Sequence, residues 1–229
     1  MNDLRNRPIR SFVMRAGRQT LAQTRALEEL WPRYGVEFSP QPLSLDAVFG
    51  RAAPRTLEIG FGNGEHLASL AAAHPERDYF GVEVHKPGVG HLLLLAETNK
   101  LANVRVSTHD AVEVLRDQIP PASLDEVLVL FPDPWHKKRH HKRRLIQSPF
   151  VELIASRMRA GGTLRLATDW EEYALQMFEV LNAATGLFAN LSPTGEWMPR
   201  PEDRAPTRFE KRGARLGHGV WDLSFERRA

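Results

Sequence analysis

Short apolar runs alternate with longer amphipathic stretches along most of the chain. The apolar runs predict strands, and the amphipathic stretches predict helices between them. In order, the segments are TLEIGFG, EHLASLAAAH, DYFGVEV, GHLLLLAETNKLA, VRVSTHD, LDEVLVLF, PFVELIASRMRA and TLRLATDW. LEIG and VLVLF are apolar on both faces, which is typical of central strands in a parallel sheet. The pattern therefore predicts an α/β fold with a mostly parallel sheet and helices on both faces.

The two ends of the chain depart from this alternation. Residues 1–50 carry many arginines and a Pro-rich stretch, so we expect a basic N-terminal arm that is partly flexible, followed by one domain over residues 51–229. Within that domain, Pro149 fits the first turn of a helix and Gly161 to Gly162 its end. Near the C-terminus, FANLS and WDLSFER have the composition of strands, which predicts an antiparallel C-terminal strand at one edge of the sheet.

Composition excludes several classes of protein. Of the 229 residues, 42% are hydrophobic and 26% are charged, and no run approaches the ~20 apolar residues of a membrane span. The N-terminal stretch is basic but lacks the apolar segment of a secretory signal, so we expect neither export nor a membrane partner. The chain has no cysteine, which excludes thiolate metal sites and a Cys nucleophile and fits a reducing cytoplasm.

Charge is distributed unevenly, although the net charge is only +3. Residues 55–135 carry a net charge of −6, whereas residues 136–144 carry +6 and contain no acid. An acidic segment beside a cationic one predicts a site for a positively charged small molecule next to a surface for a polyanion. Chance surface composition is the alternative that these counts leave open.

The stretch LEIGFGNGEH predicts a ligand site at a turn between a strand and a helix. Its three glycines, Gly60, Gly62 and Gly64, allow the backbone to approach a ligand closely, and their spacing differs from both the dinucleotide and the P-loop patterns. A purely structural glycine turn would look the same. Glu58 favours a ligand, because an unpaired carboxylate inside an apolar strand is costly to bury.

Two further acids follow predicted strands. Glu83 closes DYFGVEV, where a carboxylate can accept both hydroxyls of a ribose. Asp110 closes VRVSTHD, where it either caps the next helix or accepts from an adenine amino group. Ligands of open α/β sheets bind outside the carboxyl ends of the strands, so we expect a nucleoside pocket of negative potential, suited to a cationic cofactor.

The segment FPDPWHKKRHHKRR, residues 131–144, joins one acid to a block of cations. Pro132 and Pro134 restrict the backbone on either side of Asp133, which predicts a narrow orientation for that carboxylate. The cations predict contact with phosphates, although a solvated basic loop would have the same composition. Two histidines of the segment stand four residues apart, but no acid or cysteine completes a coordination set, so we expect no metal.

Together with TDW at 168–170 and TRFE at 207–210, these motifs resemble those of the bacterial tRNA (guanine-N7)-methyltransferase family over almost the whole chain. The resemblance implies a Rossmann-like class I methyltransferase fold. It implies transfer of a methyl group from S-adenosylmethionine to N7 of guanine-46 in the tRNA variable loop, giving 7-methylguanosine and S-adenosylhomocysteine. It also implies tRNA as the partner, a cytoplasmic location, no metal, and a monomer or homodimer without an obligatory protein partner.

The resemblance further implies roles for individual residues. Asp133 is the expected catalytic residue. The expected cofactor-binding residues are Glu58, Gly60, Gly62, Gly64, Glu83, Asp110 and Asp133. The expected substrate-binding residues are Lys137, Asp169, Thr207, Arg208, Phe209 and Glu210. The expected RNA-binding residues are Arg139, His140, His141, Lys142, Arg143 and Arg144.

Several alternatives stay open at this point. The chain could methylate another RNA site or a small nucleophile, or it could be a catalytically silent RNA-binding protein. Asp169 could cap the helix that follows it. Trp135 could stack on the target base or pack in the core. Guanine N7 already carries a lone pair, so we expect Asp133 to orient the guanine and stabilise the charge that develops on it, and not to remove a proton.

Overall fold

The protein is built around a β-sheet, seen in a computed structural model that describes residues 10–12, 17–201 and 219–229. The strands among these residues are β1 (Arg55–Ile59), β2 (Asp78–Val82), β3 (Val104–Ser107), β4 (Leu124–Leu130), β5 (Met158–Thr168), β6 (Phe188–Asn190) and β7 (Trp221–Arg227). They pair in the order β3, β2, β1, β4, β5, β7, β6. The chain turns from one side of β1 to the other between β3 and β4, which creates a crevice at the carboxyl ends of β1 and β4.

Helices precede the first strand and connect the later ones. They are α1 (Leu21–Glu29), α2 (Trp31–Tyr34), α3 (Leu45–Phe49), α4 (Glu65–Ala73), α5 (Lys86–Thr98), α6 (Ala111–Glu113), α7 (Ser148–Arg157) and α8 (Glu171–Ala183). A π-helical turn over Val114–Gln118 continues α6, and a 3-10 helix over Lys138–Arg143 lies between β4 and α7.

The sheet is parallel from β3 through to β5, and β7 is antiparallel to both of its neighbours. The prediction of a mostly parallel sheet with an antiparallel C-terminal strand is therefore confirmed. β7 pairs with β5 along six residues, from Thr163 to Thr168, and the short β6 lies outside it at the edge.

Hydrophobic cores lie on both faces of the sheet. In β4, Val127 and Val129 face the core formed with α3, α7 and α8, whereas Leu128 and Leu130 face the core formed with α4 and α5. This two-sided burial explains why the strand is apolar at consecutive positions. It also confirms the predicted placement of helices on both faces.

Part of the predicted N-terminal arm is packed against this body. Ala26 of α1 and Tyr34 of α2 are buried in one core, and Leu45 and Phe49 of α3 are buried in the other. Thr20 caps α1 in a capping box with Gln23. These contacts tie residues 20–49 to both faces of the sheet.

The predicted boundary between α7 and β5 was wrong. The helix ends at Arg157, and Gly161 and Gly162 lie within the following strand. Met158 already pairs with Leu124, and the pairing register then shifts before it resumes at Thr163. Gly161 has a φ of 78°, a conformation that favours glycine. Both a helix end and a strand irregularity use this conformation, so the glycine alone does not distinguish them.

Candidate active site

A cavity of about 360 Å³ opens where β1, β2 and β4 end. Its volume lies in the range of small-molecule sites, ~300–1,000 Å³. Its lining includes Ser11, Phe12, Ile59, Gly60, Gly62, Val82, Glu83, Val84, His85, His109, Ala111, Leu130, Phe131, Pro132, Asp133 and Leu145. The cavity thus lies at the crevice created by the strand order, where open α/β sheets bind ligands.

The glycine turn after β1 forms one wall of this cavity. Gly60 and Gly62 have φ angles of 73° and 60°, and a Cβ built on either residue would meet no atom within 4 Å. The space that a side chain would fill is therefore open to a ligand. Gly64 has a different role, because its Cβ would lie 2.6 Å from Cβ of Leu92 in α5. This glycine allows α4 and α5 to pack closely.

Gly88 of α5 also supports the turn, and sequence reasoning missed it. A Cβ at Gly88 would lie 2.0 Å from the carbonyl oxygen of Gly62, so only glycine allows the helix to approach the turn this closely. The available signal was the glycine itself, since a glycine in a helix costs ~1 kcal/mol relative to alanine and needs a reason.

Glu83 links the end of β2 to the glycine turn. Its Oε2 accepts a hydrogen bond from the Gly62 N–H at 2.9 Å, and its Oε1 accepts from the His85 N–H at 2.8 Å. Burial raises the pKa of Glu83, and these backbone hydrogen bonds oppose that rise because they favour the charged form. Each carboxylate oxygen has a second lone pair for a ligand hydroxyl.

Asp110 caps the helix that follows β3. Its side chain accepts from the Val112 N–H at 2.9 Å, which is one of the two predicted roles. Its neighbours His109 and Ala111 line the cavity. The His109 ring stacks on Phe38, with 3.7 Å between ring centroids and an interplanar angle of 11°. Sequence reasoning missed His109, because a histidine in a predicted strand end carries no specific signal.

Glu58 is not among the residues that line the cavity. It is 2% exposed, and its Oε2 lies 3.4 Å from Nδ1 of His66 in α4. Of the predicted cofactor residues, the structure brings Gly60, Gly62, Glu83 and Asp133 to the cavity lining. Glu58, Gly64 and Asp110 are outside that lining and support the surrounding elements.

The loop that carries Asp133 begins and ends in unusual backbone conformations. Phe131 and Trp135 have φ angles of 52° and 48°, which are uncommon for residues other than glycine. Such conformations persist where the surrounding structure enforces them, and they cluster at functional sites. Two prolines stand between them, so Asp133 lies in a stiff loop at the cavity wall, with its side chain exposed.

The basic turn, residues 136–144, follows this loop and has an exposed side and a buried side. Its exposed cations are Lys137, Lys138, Arg139 and Lys142. Arg143 is half-buried, and Arg144 is only 2% exposed. Nothing in the sequence distinguishes the six cations from one another, but in the structure only four of them are exposed to solvent. Arg144 was predicted to bind RNA, and the structure places it in the interior.

Arg143 and Trp135 hold three N-terminal residues over the cavity. Nε and Nη2 of Arg143 donate to the carbonyls of Arg10 and Phe12 at 3.0 and 2.9 Å, and Nε1 of Trp135 donates to the carbonyl of Ser11 at 3.0 Å. The Arg143 guanidinium carbon lies 3.9 Å from the centre of the Trp135 ring. One face of this indole is therefore covered by a cation.

The histidines of the basic turn also differ from each other. Desolvation and repulsion from neighbouring cations, Arg139 first among them, lower the pKa of His140. His141 points inward, with its Nε2 3.1 Å from Nη2 of Arg144 and 3.5 Å from Oε1 of Glu172.

Comparison with known proteins identifies the family. Residues 52–223 match a family model described as "Putative methyltransferase". A tRNA (guanine-N(7)-)-methyltransferase of Stutzerimonas stutzeri is 58% identical over 96% of this chain and 92% of its own length. One of Thiobacillus denitrificans is 59% identical over 96% of both chains. The chain belongs to the tRNA (guanine-N(7)-)-methyltransferase family.

The solved structures share the fold of this family. A 16S rRNA (adenine(1408)-N(1))-methyltransferase from Catenulisporales acidiphilia, a mutant solved with cosubstrate SAM, superposes with a TM-score of 0.55. It is 15% identical, and the match covers 85% of this chain and 93% of that one. The predicted class I methyltransferase fold is confirmed.

The expected substrate residues of this methyltransferase are only partly described. Lys137 is exposed at the start of the basic turn. Asp169 lies between β5 and α8, but Trp170 is the N-cap of α8, so Asp169 is not its capping residue. Thr207 to Glu210 lie outside the described residues.

The described part of this methyltransferase has neither a cluster of metal-binding side chains nor a membrane-spanning helix. Residues 10–12, 17–201 and 219–229 contain no group of three or more His, Cys, Asp or Glu side chains that could hold a metal ion. No helix in these ranges has the length and apolar character to cross a bilayer.

Proposed function

We propose that this protein transfers a methyl group from S-adenosylmethionine to N7 of a guanine in tRNA, at position 46 of the variable loop. The observation that carries the proposal is the position of Asp133, which shares one cavity with Gly60, Gly62 and Glu83 and precedes the exposed cations that begin at Lys137. The tRNA (guanine-N(7)-)-methyltransferases that are 58% and 59% identical to the chain support both the base and the atom.

The cavity fits S-adenosylmethionine. The open space beside Gly60 and Gly62 admits a ligand against the backbone, and the free lone pairs of Glu83 suit ribose hydroxyls. Glu83 and Asp133 make the lining acidic, which favours a positively charged ligand. When bound, S-adenosylmethionine supplies a methyl group attached to a positively charged sulfur.

Asp133 would orient the guanine and stabilise its charge. Guanine N7 is a nucleophile through its own lone pair, so the protein has no proton to remove before methyl transfer. A carboxylate can accept hydrogen bonds from the guanine N1–H and exocyclic amine, and its negative charge stabilises the positive charge that the purine gains. Because the loop around Asp133 is stiff, less conformational entropy is lost when the carboxylate aligns with the guanine.

The exposed cations would hold the RNA near this site. Lys137, Lys138, Arg139 and Lys142 follow Asp133 within ten residues and face solvent. Neutralising phosphates with such cations releases counterions and gives salt-dependent affinity. N7 faces the deep, narrow major groove of A-form RNA, so the target guanine must lie in an irregular region or leave its stack.

The test is methyl transfer to an unmodified tRNA transcript from labelled S-adenosylmethionine, followed by mapping of the labelled nucleotide. We expect label in 7-methylguanosine at position 46 and no label in a transcript with adenosine there. Label at another position, or only in a small molecule, would support the alternative methyltransferase. Absence of any label in tRNA would refute the proposal.

A matched variant tests the role of Asp133. Asp133→Asn keeps the size of the side chain and removes its charge, so turnover should fall by about 100-fold or more while S-adenosylmethionine still binds. Retention of wild-type turnover would exclude Asp133 as the catalytic residue. The cytoplasmic location and the choice between monomer and homodimer stay predictions.

A further inference from the structure

Arg144 differs from the other cations of the basic turn in its burial and its partners. It is 2% exposed, whereas Lys142, two residues earlier, is exposed. Its Nε donates to the carbonyl oxygen of Pro134 at 2.9 Å, and its Nη1 donates to Oε1 of Gln176 in α8 at 2.6 Å. Arg144 therefore connects the loop that carries Asp133 to α8.

The α8 side of this connection is itself rigid. Tyr173 lies under Arg144, with the guanidinium carbon 4.9 Å from the ring centre. The Tyr173 hydroxyl accepts from the Ile146 N–H at 3.0 Å, and burial raises the pKa of this phenol to about 12, so it stays neutral at physiological pH. Gln176 also donates to the Ile146 carbonyl at 3.3 Å. The partners of Arg144 are thus fixed by contacts of their own.

The loop is held at both ends. At its start, the Phe131 N–H donates to the carbonyl of Ala167 in β5 at 2.7 Å. At its end, Arg144 holds the carbonyl of Pro134, the residue directly after Asp133. Since prolines restrict the backbone between these two points, the direction of the Asp133 side chain depends on both attachments.

We propose that Arg144 is a positioning residue for Asp133 and not a ligand of RNA phosphate. This inference rests on the proposed function, in which Asp133 is the catalytic group. A hydrogen bond from a guanidinium to a carbonyl is charge-assisted, and the planar fork of arginine reaches Pro134 and Gln176 together. A lysine at this position keeps the charge but cannot reproduce the fork.

The experiment compares Arg144→Lys and Arg144→Gln with Lys142→Gln, using the full chain and unmodified tRNA. Both Arg144 variants should lower kcat by about tenfold or more, because small displacements of a reacting group are costly. The KM for tRNA and the salt dependence of tRNA binding should stay within about twofold of wild type for Arg144→Lys. Lys142→Gln should show the opposite pattern: its kcat should stay near the wild-type value, while its KM for tRNA rises and the salt dependence of tRNA binding weakens.

A second variant keeps the test valid if the Arg144 variants fold poorly, as judged from Tm. Gln176→Ala removes an anchor of Arg144 from α8 and leaves every cation of the turn in place, so it should lower kcat without changing the salt dependence. Wild-type kcat in both Arg144→Lys and Gln176→Ala would overturn the inference. A weaker salt dependence in Arg144→Gln, matching that of Lys142→Gln, would also overturn it, since it would identify Arg144 as a phosphate ligand.

A readout independent of activity separates this inference from the proposed function. In protein labelled with 5-fluorotryptophan, the Trp135 signal can be assigned by its loss in Trp135→Phe and followed by 19F NMR. Arg144→Lys should shift this signal because the loop moves, and Lys142→Gln should not. If wild type methylates no tRNA, the proposed function fails, and the 19F comparison still decides whether Arg144 holds the loop. An unshifted signal in Arg144→Lys would refute that role.

Discussion

Gly88→Ala tests whether the packing of α5 holds the glycine turn in its ligand-binding shape. The added Cβ would lie 2.0 Å from the Gly62 carbonyl oxygen, whereas real Cβ contacts are essentially never shorter than 3.0 Å. The turn and the helix must therefore separate by about 1 Å, the difference between these distances. Gly62 also donates to Oε2 of Glu83 at 2.9 Å, so a shift of the turn by this amount along the bond would take the hydrogen bond beyond its normal range.

Two energies follow from this displacement. Overpacking costs about 1–3 kcal/mol, which lowers the Tm of a chain of this size by roughly 2–12 °C. Loss of a hydrogen bond to a charged group costs about 1.5–3 kcal/mol, so the Kd for S-adenosylmethionine should rise roughly 10- to 150-fold if the cofactor needs the turn in place.

Isothermal titration calorimetry with S-adenosylmethionine and a thermal melt measure the two effects. Gly186→Ala is the matched control, because a Cβ at Gly186 would meet no atom within 4 Å and should change neither quantity. If Gly88→Ala lowered Tm but left the Kd within twofold of wild type, the link between α5 packing and cofactor binding would be refuted.

Three further predictions concern the charged groups of the site. Glu83→Gln replaces one acceptor with a donor that faces a backbone N–H, so cofactor affinity should fall about tenfold or more in titration calorimetry; unchanged affinity would exclude Glu83 from the pocket. Neutralising Arg139 and Lys142 together should reduce the slope of log affinity against log salt by about 1–2, and an unchanged slope would contradict phosphate contact by this pair. The lowered pKa of His140 leaves it neutral near neutral pH, and a phosphate bound beside it would favour its charged form, so we expect RNA binding to take up a proton. tRNA affinity should therefore rise as pH falls from about 8 to about 6, and His140→Gln should lose this part of the pH dependence, whereas an identical profile would exclude His140.

The fold was largely predictable because its main signals are local and periodic. Apolar runs in β1 and β4 predicted central strands, and the stretches between them predicted helices on both faces. The exception at Gly161 and Gly162 has a physical reason. A glycine pair after an amphipathic helix suits either a helix end or a strand irregularity, and the pairing of Met158 with Leu124 decided between them.

The location of the site was predictable, but the contacts of each individual residue were not. The glycine turn, Glu83 and Asp133 each follow a strand in the sequence, and parallel strands bring their carboxyl ends to one edge, so their meeting at one cavity follows from the topology. Glu58 and Gly64 belong to the same motif but face other elements. Glu58 lies beside His66, and Gly64 leaves room for Leu92, and these contacts form only in the folded chain.

The order of residues along the chain was enough to predict the family, the sheet with its covering helices, and one acid close to six cations in residues 131–144. The direction in which those cations face could not be predicted in this way. The basic turn has no regular periodicity that would assign its side chains to an inner or an outer side. Packing made that choice, because the Pro134 carbonyl and α8 offer hydrogen bonds to Arg144, whereas Lys142 lies on the exposed side of the turn.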